Sequence, residues 1–146
     1  MRRFEKVSKY QNEDFELPVR ATNQSAGYDF ASIEDLIVQP KEIVLVKTGV
    51  RVKMPKNEVL LLFPRSSLPI KKGLTMSNGV GVIDADYYFA DNEGHIMIQI
   101  YNFTDKPVTI EKGERLSQGI FTNFYQTVDD QTEDKIRLGV FGSTSL

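Results

Sequence analysis

The chain has 146 residues, of which 40% are hydrophobic and 26% are charged, and its formal net charge is −2. This length predicts one domain that can bury a core, and the weak negative charge provides no basic field for direct nucleic-acid binding. The absence of cysteine excludes disulfides, thiol catalysis and cysteine-ligated zinc, and agrees with a reducing, cytoplasmic location. No apolar run is long enough for a membrane span or a signal peptide, so we expect neither.

Short β-rich segments separated by proline and glycine dominate the sequence in chain order. Strands are predicted over residues 15–20, 42–47, 50–54, 59–63, 96–103 and 116–125. The two segments that flank Thr48-Gly49 alternate in polarity, as a strand pair or one bent strand would. Ile96, Ile98 and Ile100 share one face by period-2 counting, and Pro69 limits any helix over residues 66–72 to about one turn. The pattern therefore predicts an all-β sandwich, jelly roll or barrel.

The C-terminal part differs in composition from the rest of the chain. Residues 126–136, "QTVDDQTEDKI", are polar and acidic, which predicts a connector. They separate a β-rich domain of residues 1–125 from a tail of residues 137–146. That tail places one phenylalanine among glycines and hydroxyl residues and is too short to fold alone.

Two carboxylates, Asp84 and Asp86, end the apolar run "GVGVI". If the strand continues through both, their side chains share one face, with Cα atoms about 6–7 Å apart. Such a pair suits a hard-cation site, or a general base with a supporting carboxylate. Two solvated acids at a strand end would give the same pattern.

Three further stretches have both a chemical and a structural interpretation. Asp29 in "SAGYDFAS" is a candidate functional acid, although a turn carboxylate is favoured when this stretch is taken alone. Arg65 precedes two serines, and its forked donors suit phosphate oxygens, but a surface ion pair is the alternative. The stretch 113–118, "GERLSQ", is by itself typical of a half-buried strand. His95 is not close to the serines in sequence, so a catalytic triad is weakly supported, and we expect a strand-end surface residue there.

Taken together, these stretches resemble the five motifs of the trimeric deoxyuridine triphosphate nucleotidohydrolases (dUTPases), in order and spacing. The matching stretches are "SAGYD" (25–29), "PRSS" (64–67), "NGVGVIDADY" (78–87), "GERLSQ" (113–118) and "RLGVFGST" (137–144). The resemblance implies a single all-β domain of the distorted jelly-roll or β-clip type, assembled as a homotrimer with shared active sites. It also implies hydrolysis of dUTP to dUMP and pyrophosphate, which keeps uracil out of DNA and supplies dUMP for thymidylate synthesis.

The resemblance further implies how the reaction is divided among residues. Asp84 matches the carboxylate that activates the water attacking the α-phosphorus, and Asp86 becomes its structural or electrostatic partner. Mg²⁺ is implied as the cofactor, held by substrate phosphates and waters without direct protein ligands. Asp29 matches an acid that orders the water around this metal. Tyr87 matches the residue whose ring packs on the deoxyribose and excludes a 2′-hydroxyl.

The remaining implied residues contact the substrate. They are Arg65, Ser66 and Gln118 for the phosphates, Asn78, Gly81 and Val82 for the uracil, Ser67 and Met97 as further contacts, and Arg137, Phe141, Gly142, Ser143 and Thr144 in the closing tail. Fixed peptide groups suit uracil because cytosine would leave them unpaired, which discriminates by about 10⁴ or more.

The chain departs from the family pattern at two places. Residues 88–93, "YFADNE", are an insertion, and Val140 and Ser145 stand where glycines are usual in the tail. The insertion offers a surface for a protein partner, so a dUTPase-like regulatory binding module is one alternative function. A dCTP deaminase, which also carries an Arg-Ser-Ser segment, is a less favoured alternative because "SAGYD" and the "FGST" tail argue against it.

Overall fold

The structure is a computed structural model that describes residues 1–132 and 135–137. These residues form twelve strands and three short helical turns. The strands are β1 (Arg3–Lys6), β2 (Val19–Arg20), β3 (Tyr28–Ala31), β4 (Leu36–Val38), β5 (Ile43–Lys47), β6 (Val50–Lys53), β7 (Glu58–Pro64), β8 (Leu74–Met76), β9 (Gly81–Asp84), β10 (Met97–Asn102), β11 (Val108–Ile110) and β12 (Arg115–Asn123). The helical turns cover Ser8–Tyr10, Leu68–Lys72 and Ala85–Phe89. The all-β prediction is confirmed.

The strands pair antiparallel in four sheets. The largest sheet has the order β2-β3-β12-β7-β9, and a second has the order β5-β10-β8. Two-stranded sheets join β1 to β6 and β4 to β11. Among the described residues, β9 is at the edge of the largest sheet and pairs with another strand along only one of its two backbone edges.

The hydrophobic core lies between the sheets and follows the predicted alternation. Ile96, Ile98 and Ile100 are fully buried, which confirms their shared inward face. Phe30 of β3 and Leu60 and Leu62 of β7 are also fully buried within the same cluster. Strand β7 contributes several core residues because it lies between β12 and β9.

Two predicted elements differ from the observed ones. The segments flanking Thr48-Gly49 are separate strands in different sheets, because β5 pairs with β10 and β6 pairs with β1. The chain changes sheet at Gly49, whose φ of 75° is readily available only to glycine. The predicted strand over residues 15–20 is reduced to Val19–Arg20, since Pro18 cannot donate a ladder hydrogen bond.

The other differences are small. The predicted turn of helix near residues 66–72 is observed as Leu68–Lys72 and ends at Gly73. Residues 124–132 and 135–137 contain no strand or helix, and the connector over residues 126–136 stays a prediction. None of the helices in the described part of the chain has the length and apolar character needed to cross a membrane.

Candidate active site

Strands β3, β12 and β7 bring three of the sequence motifs together. Gln118 of β12 lies opposite Asp29 of β3 on one side and opposite Phe63 of β7 on the other. The backbone N–H of Arg65 donates to the carbonyl of Leu116 at 3.1 Å, which fixes the start of the serine loop against β12. We call Asp29, Arg65, Ser66, Ser67 and Gln118 the Arg65 cluster.

Close packing and one ion pair hold the Arg65 cluster. A Cβ atom at Gly27 would lie 2.6 Å from Oε1 of Gln118, so a residue without a side chain lets the two motifs meet. The carboxylate of Asp29 lies 3.6 Å from the guanidinium of Arg115. Arg65 and Ser67 are half-buried and Ser66 is exposed, so this loop presents donors to solvent. The cluster is therefore suited to an anionic ligand.

Asp84 lies at the opposite end of β7 from the Arg65 cluster. In the sheet register Asp84 is opposite Val59, whereas Ser117 is opposite Pro64. Val59 and Pro64 are five residues apart, which corresponds to about 16 Å along a strand. The structure thus separates the predicted base from the predicted phosphate contacts within one subunit.

Asp86 does not continue the strand, so the prediction that both acids lie on one strand face is wrong. Strand β9 ends at Asp84, and a helical turn begins at Ala85 and carries Asp86. The two carboxylates nevertheless meet at one guanidinium. Arg137 donates from Nε to Oδ1 of Asp86 at 2.7 Å and from Nη2 to Oδ2 of Asp84 at 2.5 Å. Its side chain is only 12% exposed in this position.

The electrostatic environment makes Asp84 a stronger base than an ordinary aspartate. Partial burial is the main cause that raises the pKa of Asp84, and the nearby charge of Asp86 adds to it. The guanidinium of Arg137 acts in the opposite direction without cancelling this increase. A carboxylate with a raised pKa holds a proton more readily, as a general base requires.

The segment predicted to read the base lies next to Asp84. Asn78 is exposed in the turn between β8 and β9, and Gly81 is buried against the side chain of Leu62. Val82 is 53% exposed. Because β9 is an edge strand, some of its N–H and carbonyl groups point away from β7 and can pair with a planar ligand.

Tyr87 is enclosed more deeply than its predicted sugar contact suggests. Its side chain is only 3% exposed, and its hydroxyl donates to the carbonyl of His95 at 2.6 Å. The same oxygen accepts from Nδ2 of Asn92 at 2.9 Å. Met97 is half-buried at the start of β10, two residues after His95 in the sequence. Phe141, Gly142, Ser143, Thr144, Val140 and Ser145 lie outside the described residues.

Sequence reasoning missed the contribution of His95 and assigned it wrongly to the surface. The ring is half-buried against Tyr10, with centroids 5.5 Å apart, and its Nε2 accepts from the N–H of Gly49 at 2.9 Å. Burial is the main cause that lowers the pKa of His95 to about 4, and the positive charges of Lys47 and Lys9 lower it further. The imidazole is therefore neutral near pH 7 and serves as a structural acceptor.

Carboxylates are the potential metal-binding groups of these clusters. Across residues 1–132 and 135–137, no three His, Cys, Asp or Glu side chains are grouped so that they could hold a metal ion. Asp29, Asp84 and Asp86 nevertheless offer hard oxygen donors, which are the type that Mg²⁺ prefers. Asp29 lies at the other end of β7 from Asp84 and Asp86, so the three carboxylates do not form one ligand set within a subunit. The separation fits an ion that takes most of its ligands from phosphates and waters.

Comparison with known proteins identifies the family. The family model described as dUTPase matches residues 13–145. The deoxyuridine 5′-triphosphate nucleotidohydrolase of Lactococcus lactis subsp. lactis (strain IL1403) is 49% identical over 146 residues, covering 99% of this chain and 97% of the relative. The corresponding protein of Hydrogenobaculum sp. (strain Y04AAS1) is 36% identical over 143 residues, covering 94% of this chain and 96% of that relative.

The fold is similar to that of solved dUTPase structures. The crystal structure of dUTPase from Streptococcus mutans has a TM-score of 0.81 and 49% identity, covering 85% of this chain and 97% of that chain. The chain belongs to the dUTPase family. The predictions of a dUTP diphosphatase and of a jelly-roll-like β fold are thereby confirmed.

Proposed function

We propose that this protein hydrolyses dUTP to dUMP and pyrophosphate through attack of a water on the α-phosphorus. The observation that carries the proposal is the position of Asp84, a carboxylate with a raised pKa. It lies at the end of edge strand β9, whose backbone groups can pair with the uracil of a nucleotide. Membership in the dUTPase family supports the substrate. The reaction keeps uracil out of DNA and supplies dUMP for thymidylate synthesis, and we place it in the cytoplasm.

Asp84 acts on the water and the other residues position the nucleotide. The carboxylate of Asp84 accepts a proton from the water as it attacks, and Asp86 anchors the turn that follows. The backbone of Gly81 and Val82, with Asn78, pairs with the uracil edge and rejects cytosine. Arg65, with Ser66, Ser67 and Gln118, neutralises and orients the phosphates, which is the larger part of catalysis in phosphoryl transfer.

Mg²⁺ is the cofactor that we propose, in agreement with the hard oxygen donors described above. When bound, it neutralises charge that develops on the triphosphate oxygens. Asp29 would orient water next to it, because the carboxylate is held by Arg115 at the edge of the Arg65 cluster. A dUTPase from phage phi11 of S. aureus, 25% identical, with a TM-score of 0.74 and a match covering 92% of this chain and 98% of that chain, is described with a structural Mg(II) ion.

A homotrimer with shared active sites agrees best with the distance between Asp84 and the Arg65 cluster. The separation of about 16 Å along β7 favours an Arg65 cluster that acts on a nucleotide bound at the Asp84 of another subunit. Ile43 and Leu45 are 58% and 49% exposed on the outward face of β5, an apolar surface that assembly would cover. The tail that begins at Arg137 would then close the active site of a neighbouring subunit, and Arg137 would give up its hydrogen bonds to Asp84 and Asp86.

One incubation tests this function against both alternatives. The protein is incubated with dUTP and with dCTP in the presence of Mg²⁺, and pyrophosphate and ammonia are measured. Pyrophosphate from dUTP is the expected product. Ammonia from dCTP would instead indicate a deaminase, and the absence of both products would favour a regulatory binding module, with residues 88–93 as the candidate surface for a protein partner.

Replacing Tyr87 with alanine is expected to raise the turnover of UTP relative to dUTP. If the ring packs against the sugar, its removal creates room for a 2′-hydroxyl, and the kcat/KM ratio for the two nucleotides falls by about 10-fold. Because Tyr87 is buried, Tyr87→Phe serves as the control, which retains the ring and should retain the ratio. An unchanged ratio in a folded Tyr87→Ala protein would show that the ring does not face the sugar.

A chain that ends after residue 134 is expected to stay folded and lose activity. All twelve observed strands lie before this point, so the melting temperature and the oligomeric state should change little. Turnover of dUTP should fall by at least about 10-fold, because closure over the phosphates and stacking on the base go together. Analytical ultracentrifugation and pyrophosphate release are the measurements. Full activity of the shortened chain would remove the tail from the mechanism.

A further inference from the structure

The hydroxyl of Tyr87 is held from two sides by residues of the segment that follows it. It donates to the carbonyl of His95 and accepts from the side-chain amide of Asn92. Both bonds are partly buried, and a hydrogen bond shielded from water contributes more than one at an exposed surface. Tyr87 belongs to the helical turn Ala85–Phe89, which also carries Asp86 and directly follows Asp84.

The segment that provides these bonds is itself folded tightly. The other end of the Asn92 amide group, Oδ1, accepts from the N–H of Gly94 at 3.1 Å. Gly94 has a φ of 74°, and a Cβ atom there would lie 2.6 Å from the carbonyl oxygen of Tyr87. A glycine is therefore required at this position, and its presence keeps residues 92–95 in contact with the turn.

The insertion is also anchored to the body of the domain. The guanidinium of Arg51 on β6 stacks at 3.6 Å over the ring of Tyr88 and donates to its carbonyl at 2.8 Å. The Tyr88 hydroxyl donates to Glu5 of β1 at 2.8 Å. Glu93 accepts from both the backbone N–H and the hydroxyl of Ser8, at 3.1 and 2.9 Å. Residues 88–93 are thus connected to the N-terminal strand, to β6 and to the turn with Asp86.

We propose that the insertion, residues 88–93, stabilises the position of the helical turn Ala85–Phe89 that follows Asp84. In this proposal Asn92 is a positioning residue that acts through the Tyr87 hydroxyl. By fixing the Tyr87 ring from the side of the insertion, Asn92 sets the rotation of the turn that follows Asp84. Loss of this bond displaces the base relative to the attacked phosphorus. Such a displacement weakens the stabilisation of the transition state more than it weakens binding of the substrate. This inference rests on the proposed dUTP hydrolysis.

A double-mutant cycle tests the proposal. Asn92→Ala is expected to lower kcat for dUTP by about 10-fold while KM changes less than about two-fold. Tyr87→Phe keeps the ring and removes the hydroxyl, and it should lower kcat at least as much, because the bond to the carbonyl of His95 is lost as well. The double variant should resemble Tyr87→Phe, because that change already removes the oxygen to which Asn92 donates. Asp91→Ala is the matched control, since Asp91 is exposed on the same loop.

A further variant separates positioning from local folding of the loop. Asn92→Asp retains an oxygen that can accept from Gly94 and loses the amide donor to Tyr87. It should lower kcat as Asn92→Ala does, with assays made well below the melting temperature of every variant. A wild-type kcat in Asn92→Asp, multiplying effects in the double variant, or an Asn92→Ala kcat equal to that of Asp91→Ala would each overturn the proposal. Wild-type protein that releases no pyrophosphate from dUTP would overturn the proposed function and this inference together.

Discussion

Asp84→Asn is expected to lower kcat for dUTP by at least about 10²-fold, the usual scale for loss of a general base. Asparagine has nearly the same shape and cannot accept the proton of the attacking water. The site lies at the end of edge strand β9, so the sheet and the core remain as they are. The variant should therefore melt like the wild type and still bind dUTP, measured by calorimetry. Near-normal turnover in a verified variant would remove Asp84 from the mechanism.

Asp86→Asn is the matched control for this experiment. It alters a carboxylate bound by the same guanidinium. Its effect should be clearly smaller because, in the proposed mechanism, Asp84 and not Asp86 accepts the proton of the attacking water. The pH dependence gives a second readout. As the pH is lowered, Asp84 becomes protonated and can no longer accept a proton, so wild-type kcat should fall. Because the pKa of Asp84 is raised, this fall should begin at a higher pH than it would for an aspartate with an ordinary pKa. The residual activity of Asp84→Asn should lack this decrease.

Mixing two inactive variants is expected to restore activity. If each site takes Asp84 from one subunit and Arg65 from another, a trimer that contains Asp84→Asn and Arg65→Ala subunits has some sites with both native residues. Random exchange at equal concentrations should recover about one quarter of the wild-type sites. Pyrophosphate release is measured before and after exchange, and mass spectrometry confirms the mixed trimers.

Two Asp84→Asn preparations that differ only in a mass tag provide the control for the mixing step itself. They should exchange subunits and stay inactive. Mixed trimers without recovered activity would mean that Asp84 and Arg65 act within one chain, despite the separation of about 16 Å along β7. That result would contradict the shared site and leave the hydrolysis of dUTP in place.

Much of the fold was predictable because it depends on local patterns. The alternation at Ile96, Ile98 and Ile100 identified a half-buried strand before any partner was known, since the side-chain period of a strand is two. The segments on either side of Thr48-Gly49 were correctly placed in strands but wrongly allowed to pair. Pairing depends on residues far away in sequence, here those of β1 and β10. Local alternation contains no information about such partners.

The candidate site shows the same division. The resemblance singled out Asp84, Asp29, Arg65 and Gln118, and the structure brings the last three together by strand register. The relation of Asp86 to Asp84 was wrong because a strand was assumed to continue where a helical turn begins. His95 was assigned to the surface because nothing in its neighbours reveals the N–H of Gly49, which comes from a distant part of the chain.

The sequence by itself determined that this chain forms a β-rich domain of the dUTPase family, with carboxylates, an arginine-serine loop and a glycine-rich tail in a recognisable order. These features are local and survive as residue types at fixed spacings. Only the tertiary structure decided that Asp84 and the Arg65 cluster lie at opposite ends of β7, and that the insertion holds Tyr87 through Asn92. Both facts depend on strand register and on contacts between residues that the chain brings together only when its core is packed.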